Sequence, residues 1–196
     1  MDNKNLTHEQ ELMIGFLVKA AIPKKYKNSN NESDRLKDAI WRAHRDVLTG
    51  RKNVTSYSNQ VAEFDKGILN DLYDMCSNTE CSLQSENLIE ELSNTYKDNS
   101  VTYGAIQKLV NMTLKYLIIL KELEGATVPD VERTACDCPL DSQILGSINK
   151  HRNVHWTKIN DKETYNKIQQ CILDQLNQDT PFGKLTYDFY HWGENK

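Results

Sequence analysis

The chain has 196 residues, with 24 Lys and Arg against 28 Asp and Glu, and a net charge of −4. A broad nucleic-acid-binding surface is normally basic, so this charge argues against one, while a local basic groove stays compatible with it. No run of about 18 apolar residues occurs, so we expect no membrane span, and MDNKNLTHEQ lacks the layout of a signal peptide. The length fits one domain, 1–196, with two possible lobes at 1–97 and 98–196. Five irregularly spaced cysteines favour reduced thiols and a cytoplasmic location.

The first half of the chain carries four predicted helices. A capping-box pattern opens the first, at 7–20, and Pro23 stops it. The second runs from 33 to 50, with Ser33 as its cap and Gly50 at its end. The third covers 61–75, and a short fourth lies around 88–92 after the polar loop SNTECSLQSE.

The second half carries the strongest helical signal, at residues 104–123. Apolar residues surround almost the whole of this helix, which predicts a central, buried position. Further helices are predicted at 139–148 and 163–176, and TYDFYHW forms a final short element. No segment alternates as a strand does. The sequence therefore predicts an all-α fold, a compact bundle of about seven or eight helices around a buried central helix.

One cluster of cysteines and histidines partly fits a zinc motif. Twelve residues separate Cys138 from His151, and three separate His151 from His155, as in a two-Cys, two-His finger. Only Asp137 lies between Cys136 and Cys138, where such a finger needs two to four residues. The competing interpretation is two incidental thiols and two surface histidines, so we assign no metal or cofactor and keep zinc as a weak alternative.

The central helix also carries a narrow polar stripe of Lys108, Asn111 and Lys115, spaced i, i+3 and i+7. One interpretation is that the stripe faces solvent. The other is that it points into a cleft, where burial lowers the pKa of a lysine and frees its amine for Schiff-base chemistry. Downstream, Pro139 precedes a helix start at which Asp141 or Ser142 can cap the first turn. A capping Asp has the fixed orientation and stabilised charge that a catalytic carboxylate requires.

These two features together resemble the helix-hairpin-helix DNA glycosylases. The matching stretches are YGAIQKLVNMTLKYL and CPLDSQIL, and the match from the first to the second spans about 45 residues. By this resemblance Lys108 is the nucleophile that attacks the sugar C1′, and Asp141 is the carboxylate that supports base loss. Tyr103-Gly104 stands where the family has its phosphate-binding hairpin, and the interval between Lys108 and Asp141 is similar to that of the archaeal 8-oxoguanine glycosylase branch. Residues 100–192 also resemble uncharacterised helical proteins of Gram-positive bacteria and their phages, a likeness that implies no function.

The expected function is that of a glycosylase-like protein acting on a flipped base in DNA or on a nucleobase-like ligand. Besides Lys108 and Asp141, the expected substrate-binding residues are Gln107, Asn111, Lys115 and Trp156, with Tyr116 or Trp192 as other stacking rings. Packing in the core or at an interface is the more common use of each aromatic. The alternative is a non-catalytic helical protein of a phage or mobile element, including one used in defence or counter-defence, that binds a ligand or a host protein. The aromatic C-terminus FGKLTYDFYHW suits such an interface.

Overall fold

The computed structural model describes residues 13, 31–50, 59–78, 80–97, 101–176 and 181–194. Within these ranges the chain forms seven α-helices: α1 Glu32–Gly50, α2 Asn59–Ser77, α3 Ser85–Thr95, α4 Tyr103–Glu124, α5 Ser142–Ser147, α6 Lys162–Leu173 and α7 Leu185–Glu194. Two 3₁₀ turns, Arg133–Ala135 and Trp156–Lys158, lie in the connections. The described ranges contain no strand, only an isolated parallel bridge between Leu83 and Val131. The prediction of an all-α bundle is confirmed.

The predicted helix at 7–20 lies outside the described residues except for Met13, which is helical and buried. The second predicted helix exists as α1, but its cap differs from the expected one. Asn31 accepts the hydrogen bond from the main-chain N–H of Ser33 through Oδ1 at 3.1 Å, so Ser33 lies inside the first turn. No helix in the described ranges has both the length and the apolar character needed to cross a bilayer.

Helix α4 is the centre of the fold, as the sequence predicts. Every residue from Gly104 to Leu120 is buried, because α1 and α3 both pack against this helix. Thr102 caps its start by accepting a hydrogen bond from the N–H of Ala105. Gly125 ends it in the left-handed conformation, at φ 62°, which a residue with a side chain adopts only at a cost.

An extended segment of residues 136–141 runs through the core between the first 3₁₀ turn and α5. It has no partner strand, and two buried glutamines take the place of one. Gln169 of α6 pairs with both main-chain groups of Cys138, at 3.1 and 2.7 Å. Gln107 of α4 does the same for Leu140, at 3.1 Å for each bond. Because buried main-chain polar groups need partners, these amides make the burial of the segment possible.

Candidate functional site

The structure brings Lys108 and Asp141 together although 32 residues separate them. Lys108 Nζ lies 3.9 Å from Asp141 Oδ2 and 4.6 Å from the centre of the Trp156 ring. The Lys108 side chain is 8% exposed and that of Asp141 is 17% exposed. These three residues form what we call the Lys108 site, and its more open side is at Asp141. The expected nucleophile, carboxylate and aromatic ring are therefore neighbours.

Asp141 is fixed by the helix that it caps. Its Oδ1 accepts hydrogen bonds from the N–H groups of Gln143 and Ile144, both at 2.9 Å. These groups belong to the first turn of α5, where donors without an intrahelical partner are available. Oδ2 is left to approach Lys108. The carboxylate is thus oriented by the main chain, and its capping role agrees with the sequence analysis.

The environment of Lys108 favours the neutral amine. Burial lowers the pKa of the ammonium group, because the charged form loses its hydration. The carboxylates of Asp141, Asp46 and Asp188 act in the opposite direction, and the positive charge of Lys115 adds to the lowering. Burial is the largest of these effects. Lys108 therefore loses its proton at a lower pH than an exposed lysine does, as a nitrogen nucleophile requires.

Gln107 connects helix α4, which carries Lys108, to the extended segment that ends at Asp141. Its Nε2 donates to the carbonyl oxygens of Gly104, at 2.9 Å, and Leu140, at 3.1 Å, while its Oε1 accepts from the N–H of Leu140. Gln107 directly precedes Lys108, and Leu140 directly precedes Asp141. The sequence suggested that this amide binds substrate. The structure shows it bound to the main chain, where it sets the separation of Lys108 and Asp141.

Asn111 lies one turn beyond Lys108 and belongs to a buried chain of hydrogen bonds. Its Nδ2 donates to Gln107 Oε1, at 3.3 Å, and to the Tyr165 hydroxyl, at 2.9 Å. Tyr165 in turn donates to Asp137 Oδ2 at 2.7 Å, and Lys184 donates to the other oxygen of that carboxylate at 2.6 Å. Among the described residues, Asn111 Oδ1 has no hydrogen-bond partner. Asn111 is 0% exposed, so its amide belongs to the buried hydrogen-bond network.

Lys115 forms a buried ion pair in the core. Its ammonium group forms an ion pair with Asp188 of α7, with the two side chains 0% and 2% exposed, and it lies over the Phe189 ring. With Lys108 and Asn111 also buried, the interpretation of the polar stripe as a solvent-facing surface is wrong. Lys115 acts on the Lys108 site through its charge rather than by lining it.

The other aromatic candidates lie in different surroundings. Tyr116 is 0% exposed, and its hydroxyl donates to Asp46 Oδ2 at 2.6 Å. Trp192 of α7 is partly buried and packs against the edge of the core. Trp156 is the candidate ring that contacts Lys108.

The possible zinc ligands do not converge. In the described part of the chain, no three His, Cys, Asp or Glu side chains form a group that could hold a metal ion. Cys136 is buried, which raises the pKa of its thiol to about 12 and disfavours the thiolate that zinc binds. Cys138 is buried as well, His155 is exposed, and His151 Nε2 lies 3.6 Å from Cys171 Sγ. The Cys136, Cys138, His151 and His155 spacing therefore builds no zinc site here.

Several residues of this region were not among the site residues expected from the sequence. Tyr165, Gln169 and Asp137 all bond groups at least 28 positions away. An i, i+4 pair such as Tyr165 and Gln169 is ordinary on a helix, so the burial of the pair becomes visible only in the fold.

No family model, curated protein or solved structure matches the chain. The likeness to helix-hairpin-helix glycosylases stays a prediction, which the geometry at Lys108 can support.

Proposed function

We propose that the chain is a DNA N-glycosylase with lyase activity, in which Lys108 is the nucleophile and Asp141 the catalytic carboxylate. One observation carries the proposal: a buried amine with a lowered pKa lies 3.9 Å from a carboxylate held by a helix start. A desolvated amine beside an oriented carboxylate is what sugar-directed nucleophilic chemistry needs.

The reaction assigns each residue one task. The neutral Lys108 amine attacks C1′ of the nucleotide while the C1′–N bond to the base breaks, and the bonding electrons leave with the base. The Asp141 carboxylate stabilises the positive charge that develops on the sugar. The amine then loses a proton, which the departing base takes up. The C1′–O4′ bond breaks next, its electrons go to O4′, which takes a proton from water, and an iminium ion forms between Lys108 and C1′. Trp156 covers the amine, so its indole excludes water from the attacking nitrogen.

Borohydride trapping tests this assignment, because hydride reduces the iminium ion to a stable amine bond. Wild-type protein is incubated with oligonucleotides that carry uracil, an oxidised guanine or an abasic site. We expect a covalent protein–DNA adduct on at least one of them. Lys108→Gln should abolish it, while Asp141→Asn should reduce base release by more than trapping at a preformed abasic site. Lys121→Gln, an exposed lysine paired with Asp130, is the matched control and should trap like the wild type.

Two results would overturn the proposal. One is the absence of both adduct and base release across the whole panel. The other is an adduct that persists in Lys108→Gln, which would place the reacting amine elsewhere. A stoichiometric protein partner that is lost on Trp192→Ala, with Lys108→Gln silent, would instead favour the non-catalytic interaction protein.

A further inference from the structure

The stretch that follows Asp141 has an unusual charge. Residues 142–160, SQILGSINKHRNVHWTKIN, contain no Asp or Glu, although the whole chain has a net charge of −4. The stretch contains Lys150, Arg152 and Lys158, together with two histidines. It is therefore a local basic region in an acidic protein, and such regions attract anions.

The three cations of this stretch are available at the surface. Lys150, Arg152 and Lys158 are all exposed, and none of them pairs with a carboxylate of the described residues. Lys121, Lys162 and Lys167 differ in this respect, because each lies within 4.0 Å of a carboxylate oxygen. The positive charge of Lys150, Arg152 and Lys158 is thus left uncompensated.

The basic stretch is connected to the Lys108 site near both of its ends. Asp141 opens it, and near its other end Trp156 contacts Lys108 while the carbonyl oxygen of Ile159 accepts a 2.8 Å hydrogen bond from Gly104 of α4. A chain extends at most about 3.6 Å per residue, so the Cα atoms of residues 150, 152 and 158 lie within roughly 22, 14 and 7 Å of that of Trp156. In duplex DNA, 22 Å corresponds to about six base pairs at 3.4 Å each.

The connection between α5 and Trp156 is also structured. His151 donates its main-chain N–H to the carbonyl oxygen of Ile148 at 2.8 Å, and Val154 donates to that of His151 at 2.9 Å. These successive turns hold Lys150 and Arg152 in a defined conformation before anything binds. Less ordering entropy is then lost on binding than for a disordered basic tail.

We propose that residues 149–158 form a phosphate-contact surface, with Lys150, Arg152 and Lys158 binding the DNA backbone near the nucleotide at Lys108. The assignment of DNA as the polyanion rests on the proposed function, since an amine poised for Schiff-base chemistry with a sugar adjoins the surface. Each cation neutralises one phosphate and releases its counterions, which makes binding dependent on salt.

The test is equilibrium binding to a fluorescent duplex that contains a stable abasic-site analogue, measured by anisotropy over a series of salt concentrations. The triple variant Lys150→Gln, Arg152→Gln and Lys158→Gln should bind more weakly at every salt concentration. The slope of log K against log salt should fall by about 0.9 per lost phosphate contact, or about 2.7 for all three. A second triple variant, Lys121→Gln, Lys162→Gln and Lys167→Gln, removes the same charge from elsewhere and should leave affinity and slope unchanged.

Equal losses in the two triple variants would overturn the surface, because net charge alone would then explain them. So would wild-type protein that does not bind the duplex at low salt, or that binds an acidic polypeptide in preference to it. The outcome is separable from that of the proposed function. Selective loss of binding without any borohydride adduct supports the surface and refutes the enzyme, whereas adduct formation with unchanged binding by the first triple variant does the reverse.

Discussion

Gly104 is the position at which a single methyl group should do most damage to the Lys108 site. A Cβ atom built on this residue would lie 1.8 Å from the carbonyl oxygen of Trp156 and 2.9 Å from its carbonyl carbon. Carbon–oxygen contacts begin at about 3.3 Å, so the chain at Trp156 must move by about 1.5 Å to admit Ala. The obstacle is main chain, which cannot turn aside as a flexible side chain does.

The effect of Gly104→Ala on the free energy of unfolding can be estimated from the contacts that the substitution breaks. Overpacking in a filled interior costs about 1–3 kcal/mol. Loss of the hydrogen bond from Gly104 to Ile159 adds about 1 kcal/mol, and the better helix propensity of Ala returns up to about 1 kcal/mol. We expect a net loss of about 2 kcal/mol in the free energy of unfolding. Since a displacement of about 1 Å can cost roughly 100-fold in rate, the rate of borohydride trapping should also fall by about 100-fold in protein that is still folded.

Equilibrium unfolding in urea, followed by circular dichroism, measures the effect, and Gly146 provides the matched control. A Cβ at Gly146 meets nothing within 4 Å, and φ there is not positive, so Gly146→Ala should stabilise α5 by about 0.5–1 kcal/mol. The two variants should therefore change stability in opposite directions. Equal free energies of unfolding for both would refute the close approach of α4 to Trp156.

Three further predictions concern the buried polar groups. Lys115→Met or Asp188→Leu alone should cost about 3–5 kcal/mol, because each leaves a buried charge without its ion-pair partner, while the double change Lys115→Met with Asp188→Leu should cost far less in urea unfolding. Gln107→Leu should cost about 2–4 kcal/mol, because it leaves two main-chain groups of the residue before Asp141 unsatisfied, and it should also reduce trapping. Lys108, whose pKa is lowered by burial, should react with an acylating reagent at a lower pH than exposed lysines do, as mass spectrometry of the native protein can show. The Asp141 carboxylate raises that pKa, so Asp141→Asn should move the onset of acylation to still lower pH.

Each of these three predictions can be contradicted by a specific result. A double variant as unstable as the sum of the two singles would mean that Lys115 and Asp188 act independently. For Gln107, the comparison is Gln170→Leu on the exposed face of α6, which should change stability by less than about 0.5 kcal/mol. Similar losses in the two glutamine variants would argue against the main-chain bonds. An acylation onset for Lys108 equal to that of a lysine in a short unstructured peptide would show that burial does not control its pKa.

The sequence predicted the features that depend on local pattern. The apolar surround of residues 104–123 indicated the burial of α4, and Pro139 followed by Asp141 indicated a capped helix start. These features succeed because helical period and capping chemistry act within a few residues. The proximity of Lys108 to Asp141 was expected from a family resemblance, since no spacing rule joins two such distant positions.

The features that the sequence did not reveal depend on contacts across the chain. Lys115 pairs with Asp188, 73 positions later, so periodicity could not tell a buried stripe from an exposed one. The glutamines are similar, because a side-chain amide on a helix is commonly solvated and its pairing with a distant main chain leaves no local pattern. Gln107 was accordingly expected to bind substrate rather than to position Leu140.

The pairing of Gln107 and Gln169 with the extended segment has a consequence for which substitutions the chain tolerates. Both amides bond main-chain groups, so they are indifferent to which side chains stand at Cys138 and Leu140 as long as the volume is kept. No other side chain offers one donor and one acceptor at the same reach. The side chains of Cys138 and Leu140 are therefore the replaceable half of this pairing, and Gln107 and Gln169 are the half on which it depends.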